Sequence, residues 1–425
     1  MNVLLIAIGS HGDVHPFVGI GMALTLRGHR VCVMANEHFE SLIRKAGLDF
    51  LPLGTNEEFL ELTKNPDLWH PSRGFKAVFD SVEPILRPVF DATIDFVRDH
   101  DDAIVVGSSL ALGARVAREV QRFPFVTVHL APSIFRSLYD PPHMFPVGIT
   151  RVMPVWMRRK MWEFGDRFVI DPVICPYLNR FRAEFGLAPI TRVMDHWVHS
   201  PDRTIGMFPE WFAPKPIDWP AQVRLTGFPL YDEKGIEPLA PELLRFLEAG
   251  DRPIAFTPGS AFRQGDRFFR VAADACSRLD RRGLLLTRHA ENIPPDLPPG
   301  VIHVPYAPFS ELLPHCAALV YHGGIGTLSQ ALAAGVPHLV MPMSHDQPDN
   351  AWRLKHHLGV GDWLSPRMFT PRNVARVLRQ LTTSPKVAEN CRRVAERMKG
   401  LDAIGETCEL IEAIAPESVA RASSP

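Results

Sequence analysis

The chain carries almost no net charge: 46 Lys and Arg oppose 47 Asp and Glu, leaving −1 with histidine neutral. That balance gives no electrostatic case for nucleic acid as a partner. No apolar run approaches the roughly 18 residues needed to cross a bilayer. The short run over residues 3–8 has no basic flank or small-residue cleavage site, so it reads as a strand rather than a signal peptide. The six cysteines (Cys32, Cys175, Cys276, Cys316, Cys391 and Cys408) include no C-x-x-C pair. Reduced thiols in a cytoplasm are expected, and a structural zinc is not. The dinucleotide fingerprint Gly-x-Gly-x-x-Gly is missing from the first turn. Ala35 and Asn36, not an acid, close the second strand, which disfavours a nicotinamide enzyme. No Asp-x-Asp motif is placed to hold a divalent ion on a diphosphate, and His356-His357 lacks ligand spacing and reads as a solvated helix face. Neither a metal nor a cofactor is expected. There is no repeat and no low-complexity tract.

What is present is an ordinary globular composition, 46% hydrophobic and 22% charged, over 425 residues. One hydrophobic core rarely organises that length, so two domains are expected. Strand-like runs at 3–8, 31–35, 50–53, 103–106 and 125–130 alternate with helices at 17–26 and 110–120. The alternation implies a parallel sheet covered by helices on both faces. It breaks down between Pro132 and Trp219, a stretch rich in proline and aromatics, and returns at 204–208 and 223–226. Residues 231–250 read as a linker with a short helix at 241–248. A second alternating series follows, with strands at 254–257, 284–287, 301–304, 317–321 and 337–341 and helices at 267–279 and 327–334. Helices at 371–381, 386–399 and 403–413 complete it, and 416–425 reads as a frayed end. The expected division is 1–232, 233–402 and a final helix with its tail, 403–425.

Two turns fall at the carboxyl edges of these sheets, where open α/β folds bind ligands. The first is Gly9-Ser10-His11-Gly12-Asp13-Val14-His15-Pro16; the second is His322-Gly323-Gly324-Ile325-Gly326-Thr327, between a strand and a helix. A glycine-rich turn entering a helix presents unpaired N–H groups at the positive end of the helix dipole, which suits phosphate. His322 and Thr327 can add side-chain bonds, and Ser260, beside Gly259 on the turn after residues 254–257, should reach the same phosphates. Asp346 and Gln347 end at the same edge, where a carboxylate and an amide suit the hydroxyls of a sugar.

Tyr306-Ala307-Pro308, the His322 loop, Gly335-Val336-Pro337 and Asp346-Gln347-Pro348-Asp349-Asn350 resemble the donor-binding box of family 1 glycosyltransferases, and the first turn fits the same family. The resemblance runs nearly end to end. Ile325, Gly326 and Gln330 stand where plant members carry Trp, Asn and Glu, so the bacterial branch is the nearer one. Within it the rhamnosyltransferases of rhamnolipid synthesis are similar through Trp211-Phe212-Ala213-Pro214 and Thr226-Gly227-Phe228-Pro229-Leu230. The resemblance implies the GT-B fold: two Rossmann-like domains facing across a cleft, acceptor on the first and donor on the second, with the last helix crossing back to the first. It implies an inverting transfer of a sugar, L-rhamnose from dTDP-L-rhamnose, to a hydroxyl of a 3-hydroxyacyl-3-hydroxyalkanoate lipid. A sterol, carotenoid or polyketide acceptor is the alternative.

Residue by residue, the resemblance sets Tyr306 with Pro308 against the nucleobase and Gln330 at the ribose. A neutral amide there favours a deoxyribose donor. His322 with Gly324, Gly326 and Thr327 would meet the pyrophosphate, and Ser10, Gly12, Gly259 and Ser260 would complete the donor site. Asp13 stands where many members carry the catalytic histidine, so it is the candidate base, with capping of a helix beginning near Pro16 as the competing role. His11 and His15 are its rivals, because histidine titrates in the useful range. Partners are then a nucleoside diphosphate sugar and a hydrophobic hydroxylated acceptor. A peripheral membrane or partner-subunit contact is the remaining expectation. Its basis is Met157, Met161, Phe164 and Phe168, which share one helix face beside Trp156 and Trp162, with Arg158, Arg159 and Lys160 expected to fan out next to them.

Overall fold

The computed structural model describes residues 1–143, 153–232 and 239–415. The apolar runs form two sheets in which every pairing is parallel. The first holds β1 (Asn2–Ile6), β2 (Arg30–Ala35), β3 (Asp49–Pro52), β4 (Ala103–Ser108), β5 (Phe125–His129), β6 (Arg203–Gly206) and β7 (Val223–Leu225), in the order β3-β2-β1-β4-β5-β6-β7. The second holds β8 (Ile254–Thr257), β9 (Gly283–Leu286), β10 (Val301–Val304), β11 (Ala318–Tyr321), β12 (His338–Val340) and β13 (Gly361–Trp363), in the order β10-β9-β8-β11-β12-β13. Each sheet reverses direction of growth once, between β1 and β4 and between β8 and β11. At such switch points the loops leaving the carboxyl ends diverge and open a crevice.

The described parts of Met1–Leu68, Ser72–Pro229 and Asp402–Pro425 form one unit, and those of Trp69–Pro71 and Leu230–Leu401 the other. The last helix, Ala403–Glu412, therefore belongs to the unit of β1. It packs on the helix His11–Leu26: Glu412 takes bonds from Arg27 Nη1 and His29 Nε2, both at 2.8 Å, and Thr407 shares a hydroxyl bond of 3.1 Å with Thr226. Gly227 lets this helix approach, because its φ is 122° and a Cβ there would lie 3.2 Å from that of Ala403.

Several elements differ from the expectation. The first helix begins at His11, six residues before the expected start, because a capping box of Ser10 and Asp13 closes its N-terminus. Pro16 lies inside it rather than at its start. Between β3 and β4 run the helices Asn56–Lys64, Gly74–Val82 and Leu86–Asp99, which the strand pattern did not announce. The stretch of broken alternation is largely helical, with Val155–Gly165, a π-turn Asp166–Ile170, Asp171–Ala183 and a second π-turn Val193–Trp197. The frayed end expected over 416–425 and the middle of the expected linker, 233–238, lie outside the described residues. All six cysteines are free. Among the described residues no helix is long and apolar enough to cross a membrane.

Candidate functional site

In the second unit the site grows from the β8/β11 switch point, where Thr257 and Tyr321 are paired neighbours. Beyond Tyr321 the chain turns through Gly323, whose φ of 101° and position, with a Cβ only 2.7 Å from Val340 Cγ1, admit no side chain. Gly324 then starts the helix Ile325–Ala334 without any side-chain cap. Its first intrahelical bond runs from Leu328 N to Gly324 O at 3.0 Å, so the N–H groups of Ile325, Gly326 and Thr327 have no partner within the helix. Gly335, at φ 67°, ends the helix.

The His322 ring is wedged between the two switch-point loops. A Cβ on Gly259 would lie 2.7 Å from His322 Cε1, and one on Gly324 would lie 2.4 Å from Nε2. Both glycines are therefore conditions for the ring's position. Nδ1 is sealed from solvent with no hydrogen-bond partner, which leaves Nε2, on the side of the uncapped helix start, to meet a ligand. Burial, then the nearby His345, lowers the His322 pKa to about 4, so the imidazole is neutral near pH 7.

The Asp346 loop closes on the same place. His345 adopts φ 58° before Asp346, which precedes the helix Gln347–Trp352. Asn350, fully buried, donates from Nδ2 to Gly323 O at 2.9 Å and to Asp346 Oδ2 at 2.7 Å, tying the glycine turn to the carboxylate. Gln347 spends its carbonyl oxygen on the loop, accepting from Met343 N at 2.8 Å and Ser344 N at 3.3 Å, so Nε2 is what it can offer a sugar. Gln330 is buried, 5% exposed, and its amide makes no hydrogen bond within the described protein. Tyr306 is half-buried; its hydroxyl donates to Asp232 O at 3.2 Å and the Arg288 guanidinium lies 4.7 Å over its ring. One face of Tyr306 is thus occupied by Arg288. Pro308 is buried at the start of the helix Phe309–Leu312, and Ser260 is exposed on its turn. Trp69, which clusters with this unit, stands edge-on to His322, His345 and Phe262 at 6.2, 5.9 and 5.9 Å.

In the first unit the turn after β1 brings Ser10, Gly12 and Asp13 together. Asp13 is not the N-cap; it occupies the third helical position. Its Oδ2 accepts from Ser10 N at 2.7 Å and Ser10 Oγ at 3.1 Å. Gly9 is required here, since at φ 139° a Cβ would lie 2.3 Å from that same oxygen. Burial raises the Asp13 pKa, and the two Ser10 bonds oppose but do not cancel it. Capping and proton acceptance are therefore compatible: both bonds end on Oδ2. His11 packs against Phe39, His38 and His15 at 4.9, 5.5 and 5.7 Å.

Across the β1/β4 switch point lies a chain that local spacing did not reveal. Ile8 N donates to Ser108 Oγ at 3.3 Å; the next residue, Ser109, shares a 2.7 Å bond with His129 Nδ1, whose Nε2 shares a 2.9 Å bond with His199 Nδ1. Phe135 stacks on His199. Burial drives His129 well below its ordinary pKa and His199 to about 4.

No cluster of three or more His, Cys, Asp or Glu suited to a metal occurs among the described residues. Asp-x-Asp spacing does occur, at Asp99 and Asp101, but both are exposed and precede the amino end of β4, at the opposite edge from the ligand loops. His356 and His357 are exposed on their helix.

Four buried histidines give an expected result for stability. His129, His199, His322 and His338 (the last at about 3) all have folded pKa values below the unfolded value near 6.5. The unfolded chain therefore binds more protons below pH 6.5, and the stability these groups hold above it is lost as pH falls toward 4. Denaturant unfolding should show a loss of several kcal/mol between pH 7 and 4; an unchanged midpoint would mean that the rings are hydrated.

Comparison with known proteins follows the same division. Residues 3–139 match the glycosyltransferase family 28 N-terminal domain, and 273–413 match the erythromycin biosynthesis protein CIII-like C-terminal domain. The chain is 28% identical over 432 residues to the O-mycaminosyltylonolide 6-deoxyallosyltransferase of Streptomyces fradiae, covering 97% of each. It is 30% identical over 366 residues to glycosyltransferase GtfC of Amycolatopsis orientalis, covering 85% of each. Among solved structures, the glycotransferase of kitacinnamycin superposes with a TM-score of 0.76 at 20% identity over 98% of this chain and 99% of that one. Glycosyltransferase VinC in complex with dTDP gives 0.68 at 22% identity, over 97% and 99%.

Proposed function

The chain belongs to the nucleotide-sugar glycosyltransferases of the GT-B class, and from that premise we propose that it moves a 6-deoxyhexose from a thymidine diphosphate donor to a hydroxyl of an apolar acceptor. The observation that carries this reading is the uncapped helix start at Ile325 with His322 Nε2 beside it, at the β8/β11 switch point. A nucleoside diphosphate offers those N–H groups the charge they lack. The dTDP named with VinC and the 6-deoxyallosyl group named with the Streptomyces relative support the donor class. Gln330, a buried neutral amide with no hydrogen bond among the described residues, supports a ribose with fewer hydroxyls to hold. L-rhamnose is the first sugar to test, and a 3-hydroxyacyl-3-hydroxyalkanoate the first acceptor. A macrolide-type polyketide is the second reading, favoured by the O-mycaminosyltylonolide in the same relative's name.

In this reading the acceptor hydroxyl gives its proton to Asp13 Oδ1 while its oxygen forms a bond to the anomeric carbon. The bond from that carbon to the phosphate oxygen breaks in the same displacement, so configuration inverts. The developing positive charge at the sugar resembles that in glycoside hydrolysis. The departing diphosphate is met by the amides of Ile325, Gly326 and Thr327 and by His322 Nε2, charge stabilisation already in place before the reaction. Asp346 and Gln347 Nε2 hold sugar hydroxyls.

The test is a panel of dTDP- and UDP-sugars against hydroxylated fatty acids, sterols and macrolactones, read by nucleotide release and product mass. A deoxyhexosyl adduct formed from dTDP donors supports the proposal. Transfer only from UDP-hexoses would refute the donor assignment.

A further inference from the structure

The apolar stripe that the sequence places on one helix face is not used by the core. No residue of Val155–Gly165 is buried. Trp156 is 68% exposed, Phe164 62%, Phe168 58% and Val169 57%, with Met157 beside them. Such a run of large apolar groups on a soluble surface marks something that covers it. The helix is nevertheless held firmly from its other side. Arg136 makes an ion pair with the buried Asp166, which Arg192 also reaches at 3.3 Å, and its guanidinium lies 5.1 Å over the Trp162 ring. Arg158 does not fan out with its neighbours; its guanidinium turns inward and donates to Leu138 O. The next residue of that anchored loop, Tyr139, is itself 59% exposed.

We propose that this face, Trp156, Met157, Phe164, Phe168 and Val169, docks the protein on an anionic lipid surface. Charge selects the occupant. The charges bordering the stripe are the exposed Arg159, Lys160 and Arg167 against the half-buried Glu163, three cations to one carboxylate. Lys160 pairs with Glu163 at 2.7 Å, and Arg167 lies 5.4 Å over the Phe168 ring. An aromatic and aliphatic stripe flanked by cations matches the headgroup boundary of a bilayer, where Trp and Tyr sit with one wet edge and Lys and Arg meet phosphate. A second copy of the same face would set these cations against one another. The inference does not depend on which sugar is transferred or on whether the acceptor is itself a lipid.

Full-length protein should sediment at low salt with vesicles of equal parts phosphatidylglycerol and phosphatidylcholine, and less with phosphatidylcholine alone. Raising the salt should weaken binding, since the attraction is partly screened charge. The triple change Arg159→Glu, Lys160→Glu, Arg167→Glu should reduce partitioning at least ~10-fold, because each cation near an anionic surface adds to the attraction. Trp156→Ala with Phe164→Ala and Phe168→Ala should do the same, with circular dichroism unchanged in both variants. Vesicles should also shift tryptophan emission to the blue in the natural protein and much less after Trp156→Phe. Full recovery in the supernatant at low salt, or undiminished binding by both triple variants, would overturn the proposal. So would a concentration-dependent dimer dispersed by Phe164→Asp, which would assign the face to a second copy.

Discussion

Asp13→Asn should lower turnover by about 10²-fold or more, the usual scale for loss of a general base, while thymidine diphosphate binds as before. The substitution keeps the shape of the side chain. An amide oxygen can still accept from Ser10 N, so the start of the helix His11–Leu26 should survive. What disappears is an oxygen able to take a proton. Burial holds the Asp13 pKa above the ordinary carboxylate value in spite of two hydrogen bonds. Since only the ionised form could act as the proposed base, turnover should fall as pH drops through that raised pKa, and this limb should vanish in the asparagine protein. Full activity in a folded Asp13→Asn enzyme would move the role elsewhere, His11 and His15 being the nearest candidates.

His322→Ala should weaken thymidine diphosphate itself by roughly 1.5–3 kcal/mol, the value of one hydrogen bond to a charged group, or about 10- to 150-fold in Kd. Because the free imidazole is neutral near pH 7, the bond it offers the diphosphate at that pH is that of a neutral N–H donor to a charged acceptor. Asp346→Asn is the matching control. It still accepts from Asn350, so the tie to Gly323 persists, but it loses the carboxylate proposed for the sugar. It should weaken the intact sugar nucleotide and spare the bare diphosphate. If calorimetry shows both variants weakening both ligands equally, phosphate and sugar are not divided between these side chains as proposed.

Most of the sheet framework could be read from the sequence because its strands are short, mostly apolar runs bounded by Pro or Gly, as residues 254–257 illustrate. A strand buried on both faces needs no other signal. The glycine loop was legible for a related reason: backbone approach requires glycine in the sequence itself. The first helix starts at His11 rather than beside Pro16 because the Ser10–Asp13 box, written in three-residue spacing, closes it there. Asp13 consequently caps the helix from within its first turn, through Oδ2.

Other features depend on contacts between distant segments and leave no local pattern. Asn350 closes on Gly323 across 27 positions, Arg288 covers Tyr306, and Ser109 reaches His199 only through His129. The stripe at Met157, Phe164 and Phe168 was visible as a periodicity, but periodicity does not say whether a face turns to the core or to solvent. That was decided by Arg136, Asp166 and Leu138, which hold the opposite side.

Hydrogen exchange of the full-length protein, with and without saturating thymidine diphosphate, tests the central claim most directly. The amides of Ile325, Gly326 and Thr327 have no intrahelical acceptor and should exchange quickly in the free protein. Bound diphosphate should protect them strongly, together with the Gly259 turn. Protection confined to the first unit, or none at residues 325–327 under saturation, would contradict the account.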